Sequence, residues 1–348
     1  MSSLRMPRTV LPIVVMLVLS CLPVSSQTDI VDLGTLGGEG GYAHGINDRG
    51  QVVGWSATPS GELHAFLWTP EGGMQDLGTL GGVASFAYGI NNQGQVAGWY
   101  DTGNSARAFL WTAEGGMQDL GTLGGAFSHA FAINNRGQVV GDSATAFGGV
   151  HAFLWTAEGG MQDLSAPGSS FFLARGINDR GQVVGTTGIA MGEFHAFLWT
   201  AESGIRDLGI PGTYSSAYGI NDRGQVVGWS DTPSGEMHAC LWMAESGMQD
   251  LGTLGGRDSW ANGINDRGQV VGESYTASHE GHAFLWSAAA GMQDLGTAAG
   301  PQSAANGINA WGQVVGSCAT PSGGRPHACL WPERHGAADV FLPLLVRQ

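Results

Sequence analysis

The chain has 348 residues, 43% of them hydrophobic and only 12% charged, and its formal net charge is -15 with 14 Lys plus Arg. That balance excludes a nucleic-acid binder, which needs a basic stripe along the phosphate track. Gly supplies 59 residues, far above the usual ~7%, yet they recur at fixed places among Val, Leu, Phe and Trp, so they read as turns and exclude disorder.

Residues 1–26 have a grammar of their own: Arg5 and Arg8, an apolar run from Val10 to Leu19, then Ser25 and Ser26. This is the pattern of a secretory signal peptide, too short for a permanent membrane anchor. Two cleavage readings compete. Release after Ser26 suits the small residues there, whereas Val18-Leu-Ser-Cys21 resembles a lipoprotein box that would leave Cys21 lipidated. No other apolar run approaches the length of a membrane span, so none is expected.

From residue 27 onward the chain repeats one sentence. Ile30-Val-Asp-Leu-Gly34 is a lone copy of its last phrase, and the first full copy follows. Tyr42 to Asn47 is extended (strand a), Asp48-Arg-Gly50 is a turn, and Gln51 to Trp55 is extended again (strand b). A short polar turn closing on Gly makes a tight hairpin with a bulge. A loop with Pro59 and Gly61 leads to strand c, His64 to Trp68; Pro70 to Gly73 leads to strand d, Met74 to Gly78. The Asn of the first phrase recurs at Asn47, Asn91, Asn134, Asn178, Asn221, Asn265 and Asn309, in steps of 44, 43, 44, 43, 44 and 44. Four short strands per period match a propeller blade. Strand faces that are largely apolar or small on both sides must be covered on both sides, as blades stacked round an axis require. The fold class read from this pattern is all-β, a closed seven-bladed β-propeller of four-stranded antiparallel blades, in one domain over 27–348. Strand d has eight copies, one more than the ring needs, because one stands at each end of the array. The N-terminal one, near 29–34, is expected to complete the last blade and close the ring, which leaves 337–343 as a surplus edge or a rival for the slot.

The phrases His-Ala-Phe, Gly-Ile-Asn-x-x-Gly-Gln-Val-Val-Gly and Asp-Leu-Gly-Thr-Leu-Gly-Gly, in fixed order over 28 to about 343, resemble the bacterial HAF repeat family of probable extracellular repeat proteins. Repeat two departs with Arg107 in the His place, and repeats five and seven depart with Cys240 and Cys329 in the Phe place. The resemblance implies an exported repeat protein and no particular reaction.

Residues common to every blade read as structural first, because an enzyme needs one site and a ring offers seven. Asn47 and Asp48 read as turn caps, since a calcium loop needs alternating carboxylates and a closing Glu. His64 and its equivalents read as partners of a backbone group or of an Asp on the adjacent strand. His279-Glu280-Gly-His282 has the wrong spacing for a zinc helix. No nucleophile elbow or phosphate loop is present, and no metal or cofactor is expected. Cys240 and Cys329 read as small buried hydrophobes; Cys318 and Cys329 flank one hairpin loop and could pair in an oxidising compartment.

Three columns vary while the frame stays constant. Three before the strand-a Gly stand Tyr42, Phe86, His129, Leu173, Ser216, Trp260 and Ala304; directly before it stand His44, Tyr88, Phe131, Arg175, Tyr218, Asn262 and Asn306. After strand b's Gly stand Trp55, Trp99, Asp142, Thr186, Trp229, Glu273 and Ser317. Variable, aromatic-rich tips on a fixed frame suit a binding surface, with Tyr42, His44, Trp55, Tyr88, Trp99, Tyr218, Trp229 and Trp260 as its candidate ligand-binding residues. The opposing reading is that these aromatics fill gaps between blades. The function expected is an exported, monomeric, non-catalytic scaffold for a protein or carbohydrate at the bacterial surface or envelope. One alternative is an extracellular enzyme acting on a glycan, with acids such as Asp142 and Glu273 near the axis; another is a structural spacer.

Overall fold

A computed structural model describes residues 30–165, 171–188, 193–208, 214–319 and 324–333. The signal segment, Cys21 and the strand copy at 338–342 lie outside the described residues. Within them the chain is all-β, with 28 strands in seven four-stranded antiparallel sheets. In blade one, strand a is Gly41–Ile46, strand b Val52–Ala57, strand c Leu63–Thr69 and strand d Gly73–Asp76, within two residues of the ends read from sequence. Gly50 takes φ 72° in the a–b turn, as a tight hairpin demands. Among the described residues no helix is long and apolar enough to cross a membrane.

Blades two to six repeat this plan. Blade seven takes strands a, b and c from Ser303–Ile308, Val314–Cys318 and His327–Trp331, and its fourth strand is the N-terminal Val31–Asp32. Val31 stands opposite Leu330 and Asp32 opposite Cys329.

The core lies between blades. Val53, Ala65, Leu67 and Leu77 of blade one form one cluster with Ala87, Ile90, Val96 and Phe109 of blade two. The same arrangement closes the ring, where Leu33, Val315, Ala328 and Leu330 meet Ala43, Ile46, Val52 and Phe66. Each sheet is therefore half of two cores, and no blade is buried without both neighbours. Strand d is the exception to the apolar reading: Gln75 and Asp76 are exposed, because this strand forms the outer edge.

Outer edges are fixed by a repeated histidine–aspartate hydrogen bond. His64 Nδ1 lies 2.8 Å from Asp76 Oδ2, while Asp76 Oδ1 accepts the Gly78 N–H at 2.7 Å. One carboxylate thus ties strand c to strand d and caps the connector to the next blade. Blade two, with Arg107 in the His place, uses the Tyr100 hydroxyl on Asp119 instead, at 3.0 Å. In blade seven the pair is His327 with Asp32, 2.8 Å apart and 295 residues apart in sequence.

Cys318 and Cys329 form a disulfide, with Cα atoms 5.9 Å apart, which corrects the reading of Cys329 as a plain buried hydrophobe. Strand b presents Cys318 two residues along from Gly316, the residue opposite Cys329, so the two side chains share a face and meet diagonally across the hairpin. Cys240 stays free and buried, and burial pushes its thiol up to about 12. A bridge closing so short a loop stabilises by about 2–3 kcal/mol. Calorimetry should show the melting temperature falling in dithiothreitol and in a Cys318→Ser/Cys329→Ser chain alike; an unchanged melting temperature would remove the bridge from the stability account.

Candidate functional site

Strand a carries a β-bulge in every blade. In blade one Ala43 faces Gly54 and Gly45 faces Val53, so His44 is the extra residue. The shift recurs at Ala87/Gly89, Ala130/Ala132, Ala174/Gly176, Ala217/Gly219, Ala261/Gly263 and Ala305/Gly307. A bulged residue leaves the two-residue alternation and its side chain is re-aimed; here it turns towards the ring axis. Two glycines make room. A Cβ on Gly45 would lie 2.8 Å from the Tyr88 carbonyl of the next blade, and one on Gly54 would lie 1.9 Å from the Tyr42 carbonyl. The variable column directly before the strand-a Gly is thus the bulge column.

At the end of the axis formed by the a–b turns, constant residues make a closed girdle. Asn47 Oδ1 accepts the N–H groups of Arg49 and Gln51 at 3.1 and 3.0 Å, and its Nδ2 donates to Gln51 Oε1 and to the Asn91 carbonyl at 2.8 and 3.0 Å. Each Asn repeats this, and Asn309 returns to the Asn47 carbonyl at 3.1 Å. The Asn is therefore a turn cap and an inter-blade strut together. A second chain runs from Asp48 N–H to Asn92 Oδ1, at 2.9 Å, and onward through Asn135, Asp179, Asp222 and Asp266. It breaks at Ala310, which has no side-chain oxygen to offer. Burial raises the Asp222 carboxyl, and its neighbours Asp179 and Asp266 raise it further. Among the described residues no group of three or more His, Cys, Asp or Glu could hold a metal.

The opposite half of the axis holds a cavity of about 690 Å³ lined by the bulge column, Trp260, Glu273 and Tyr275. Such a volume suits a small ligand. His44 stacks on Tyr88 with ring centroids 4.5 Å apart, and the Arg175 guanidinium lies over Phe131 at 4.0 Å. Asn262 and Asn306 donate to the Ala305 and Ala43 carbonyls of the following blades at 2.9 and 2.8 Å. Burial raises the Glu273 carboxyl.

Of the eight aromatic candidates, His44, Tyr88, Tyr218 and Trp260 line this cavity. Tyr42 lines a second notch beside blade seven, which shares Glu273 with the axial cavity. Trp55, Trp99 and Trp229 stand behind, half-buried. Trp55 stacks on Tyr42 at 4.7 Å, Trp99 on Phe86 at 4.3 Å, and Trp229 Nε1 donates to the Tyr218 hydroxyl at 3.1 Å. The strand-b column is the cross-strand partner of the column three before the Gly, so these indoles support the lining more than they form it. Nor are the two acids brought together. Glu273 lines the cavity, whereas Asp142 is buried against His129, 2.9 Å away, and is not part of the lining. Tyr275, two residues beyond a variable column, carried no repeat signal and joins the lining because it shares Glu273's face.

His44 Nε2 is covered and has no hydrogen-bond partner among the described residues, and burial lowers its imidazole to about 4. Part of the ring still borders the cavity, so solvent there works against the shift. The unfolded chain takes up this proton near pH 6.5 and the folded chain only near 4. Its contribution is therefore present above pH 6.5 and lost as pH falls towards 4. Phe stands in this column at Phe131, so His44→Phe fits. Its urea midpoint should fall less than the parent's between pH 7 and pH 4.5; parallel profiles would refute the assignment.

No protein-family model matches the chain, and no curated protein matches it. Solved structures do resemble it. The β-propeller domain of the Trilobed protease from Pyrococcus furiosus is 11% identical with a TM-score of 0.56, over 87% of this chain and 100% of that one. A puromycin hydrolase S511A mutant complexed with PGG is 17% identical with a TM-score of 0.53, over 82% of this chain. TolB from Acinetobacter baumannii is 11% identical with a TM-score of 0.50, over 68% of this chain. The chain spans 61% of the TolB chain and 50% of the hydrolase. What is shared at these identities is the propeller fold.

Proposed function

We propose that the chain is an exported, non-catalytic scaffold that binds a protein or carbohydrate partner at the bacterial surface or envelope, through the axial cavity. The observation that carries this reading is the bulge column: of the three columns that vary while the frame repeats, this one sends its side chain from all seven blades into one cavity. Export is supported by the signal pattern in 1–26, by the HAF resemblance, and by a disulfide that belongs in an oxidising compartment. A lipid anchor at Cys21 belongs to the same reading as an alternative form of attachment.

Titration of the mature chain against a glycan array and a peptide library, followed by indole fluorescence, tests it. Saturable binding lost in a Tyr218→Ala/Trp260→Ala chain that melts like the parent is expected. Release of reducing sugar that disappears in Glu273→Gln would replace the scaffold with an enzyme. No saturable partner, and no effect of the paired substitution beyond stability, would leave a spacer.

A further inference from the structure

The axial cavity is electrically two-sided. On one side lies Arg175, over the Phe131 ring and near enough to Tyr88 to act on its ionisation. In the next blade Tyr218 accepts the Trp229 N–H, so its own hydroxyl proton is left to donate. On the other side, in blade six, Glu273 stands opposite Trp260 across the strand pair, and Tyr275 meets Trp260 edge-on at 5.8 Å. A carboxyl flanked by two aromatic rings is a site for a cation. Gly281 makes this possible, since a Cβ there would lie 2.4 Å from Glu273 Oε1. Other blades carry Leu63, Val150, Phe194 or Met237 at that place. Among the described residues Arg175 has no carboxylate partner and Glu273 no cationic one. Half-buried charges are stabilised by counter-charges, and here both line the axial cavity, with Glu273 also bordering the notch beside blade seven.

We infer that the axial cavity is a receptor site for a small zwitterion, of amino-acid to dipeptide size, whose carboxylate meets Arg175 and whose ammonium meets Glu273 between Trp260 and Tyr275. This rests on the reading of the cavity as the binding surface. A neutral sugar would leave both charges without a counter-charge, and a uronate would leave Glu273 facing its own sign.

Calorimetric titration of the mature chain with L-phenylalanine, L-alanyl-L-phenylalanine and 6-aminohexanoate tests it, beside N-acetylated and C-amidated L-alanyl-L-phenylalanine, glucuronate and galactose. At least one zwitterion should saturate, and either cap should weaken the dipeptide about tenfold to a hundredfold, the range for hydrogen bonds to charged groups. Arg175→Gln should weaken the free dipeptide and leave the amide unchanged; Glu273→Gln should do so and leave the acetylated form unchanged. The capped ligands make the test on the parent chain even if a variant folds poorly. The inference is overturned if no zwitterion saturates or if capped and free forms bind alike. Should galactose or glucuronate saturate in a manner sensitive to Trp260→Ala while the zwitterions do not, the ligand class falls and the scaffold reading stands; if nothing in this set saturates, the ligand class falls and the glycan array and peptide library decide the scaffold reading.

Discussion

Gly228→Ala should cost the ring about 4 kcal/mol or more, at the far end of what one methyl group does. A Cβ at this position would lie 1.9 Å from the Ser216 carbonyl oxygen and 2.9 Å from Ala217 Cα. Both are backbone atoms of the neighbouring strand, so no rotamer change relieves the contact. Strand a would have to leave strand b at the bulge, and with it would go the projection of Tyr218 into the cavity. The seven equivalent glycines, from Gly54 to Gly316, have the same contact at 1.8–2.1 Å, so the effect should be general. Gly78→Ala is the control. Nothing lies within 4 Å of its Cβ, and only its φ of 76° is unfavourable, which costs about 1–2 kcal/mol. Urea unfolding followed by circular dichroism compares them; similar midpoints would mean that the strands can part at the bulge without penalty.

Asn221→Ala is expected to cost about 3–5 kcal/mol. The side chain is 4% exposed and makes four hydrogen bonds: from the N–H groups of Arg223 and Gln225 at 3.1 and 3.0 Å, and to Gln225 Oε1 and the Asn265 carbonyl at 2.8 and 3.0 Å. Truncation leaves one buried carbonyl and three half-buried groups unpaired over two blades, at up to about 1–3 kcal/mol each before relaxation. Asn221→Asp separates the two jobs of this residue, because a carboxylate keeps the acceptor for the turn and loses the donor that reaches the next blade. Amide exchange at Arg223 and Gln225 should stay slow in Asn221→Asp and become fast in Asn221→Ala, while both melt earlier than the parent. Equal exchange in the two variants would mean that the cap and the strut cannot be separated.

The blade count was legible because a 43–44-residue period with four extended phrases admits few packings, and both strand faces are too apolar to be left in water. The inter-blade role of Asn47 was not legible: a local cap explains the same recurrence, and only coordinates place the Asn91 carbonyl within reach. For Cys329 the repeat alignment, which sets it against Phe66 and Phe284, favours a buried hydrophobe, and the pairing with Cys318 that the sequence leaves open is the one the adjacent strands make. At the site, the variable columns were visible but their depth was not. Alternation alone puts residues 42 and 44 on one face of strand a. The bulge separates them, sending His44 to the axis and leaving Tyr42 beside Trp55, and nothing in the spelling of Ala-His-Gly announces a bulge.

The pairing of Val31 and Asp32 with Leu330 and Cys329 also orders events in time. A polypeptide delivered from its amino end presents this short segment before blade one, and the hairpin it must join only after blade six. Until then, blade one has one greasy flank without a neighbour, and the nascent molecule is an open arc. Acquisition of the native state should accordingly be slow and set by a single long-range encounter, with the unfinished arc the species most exposed to association with its own kind.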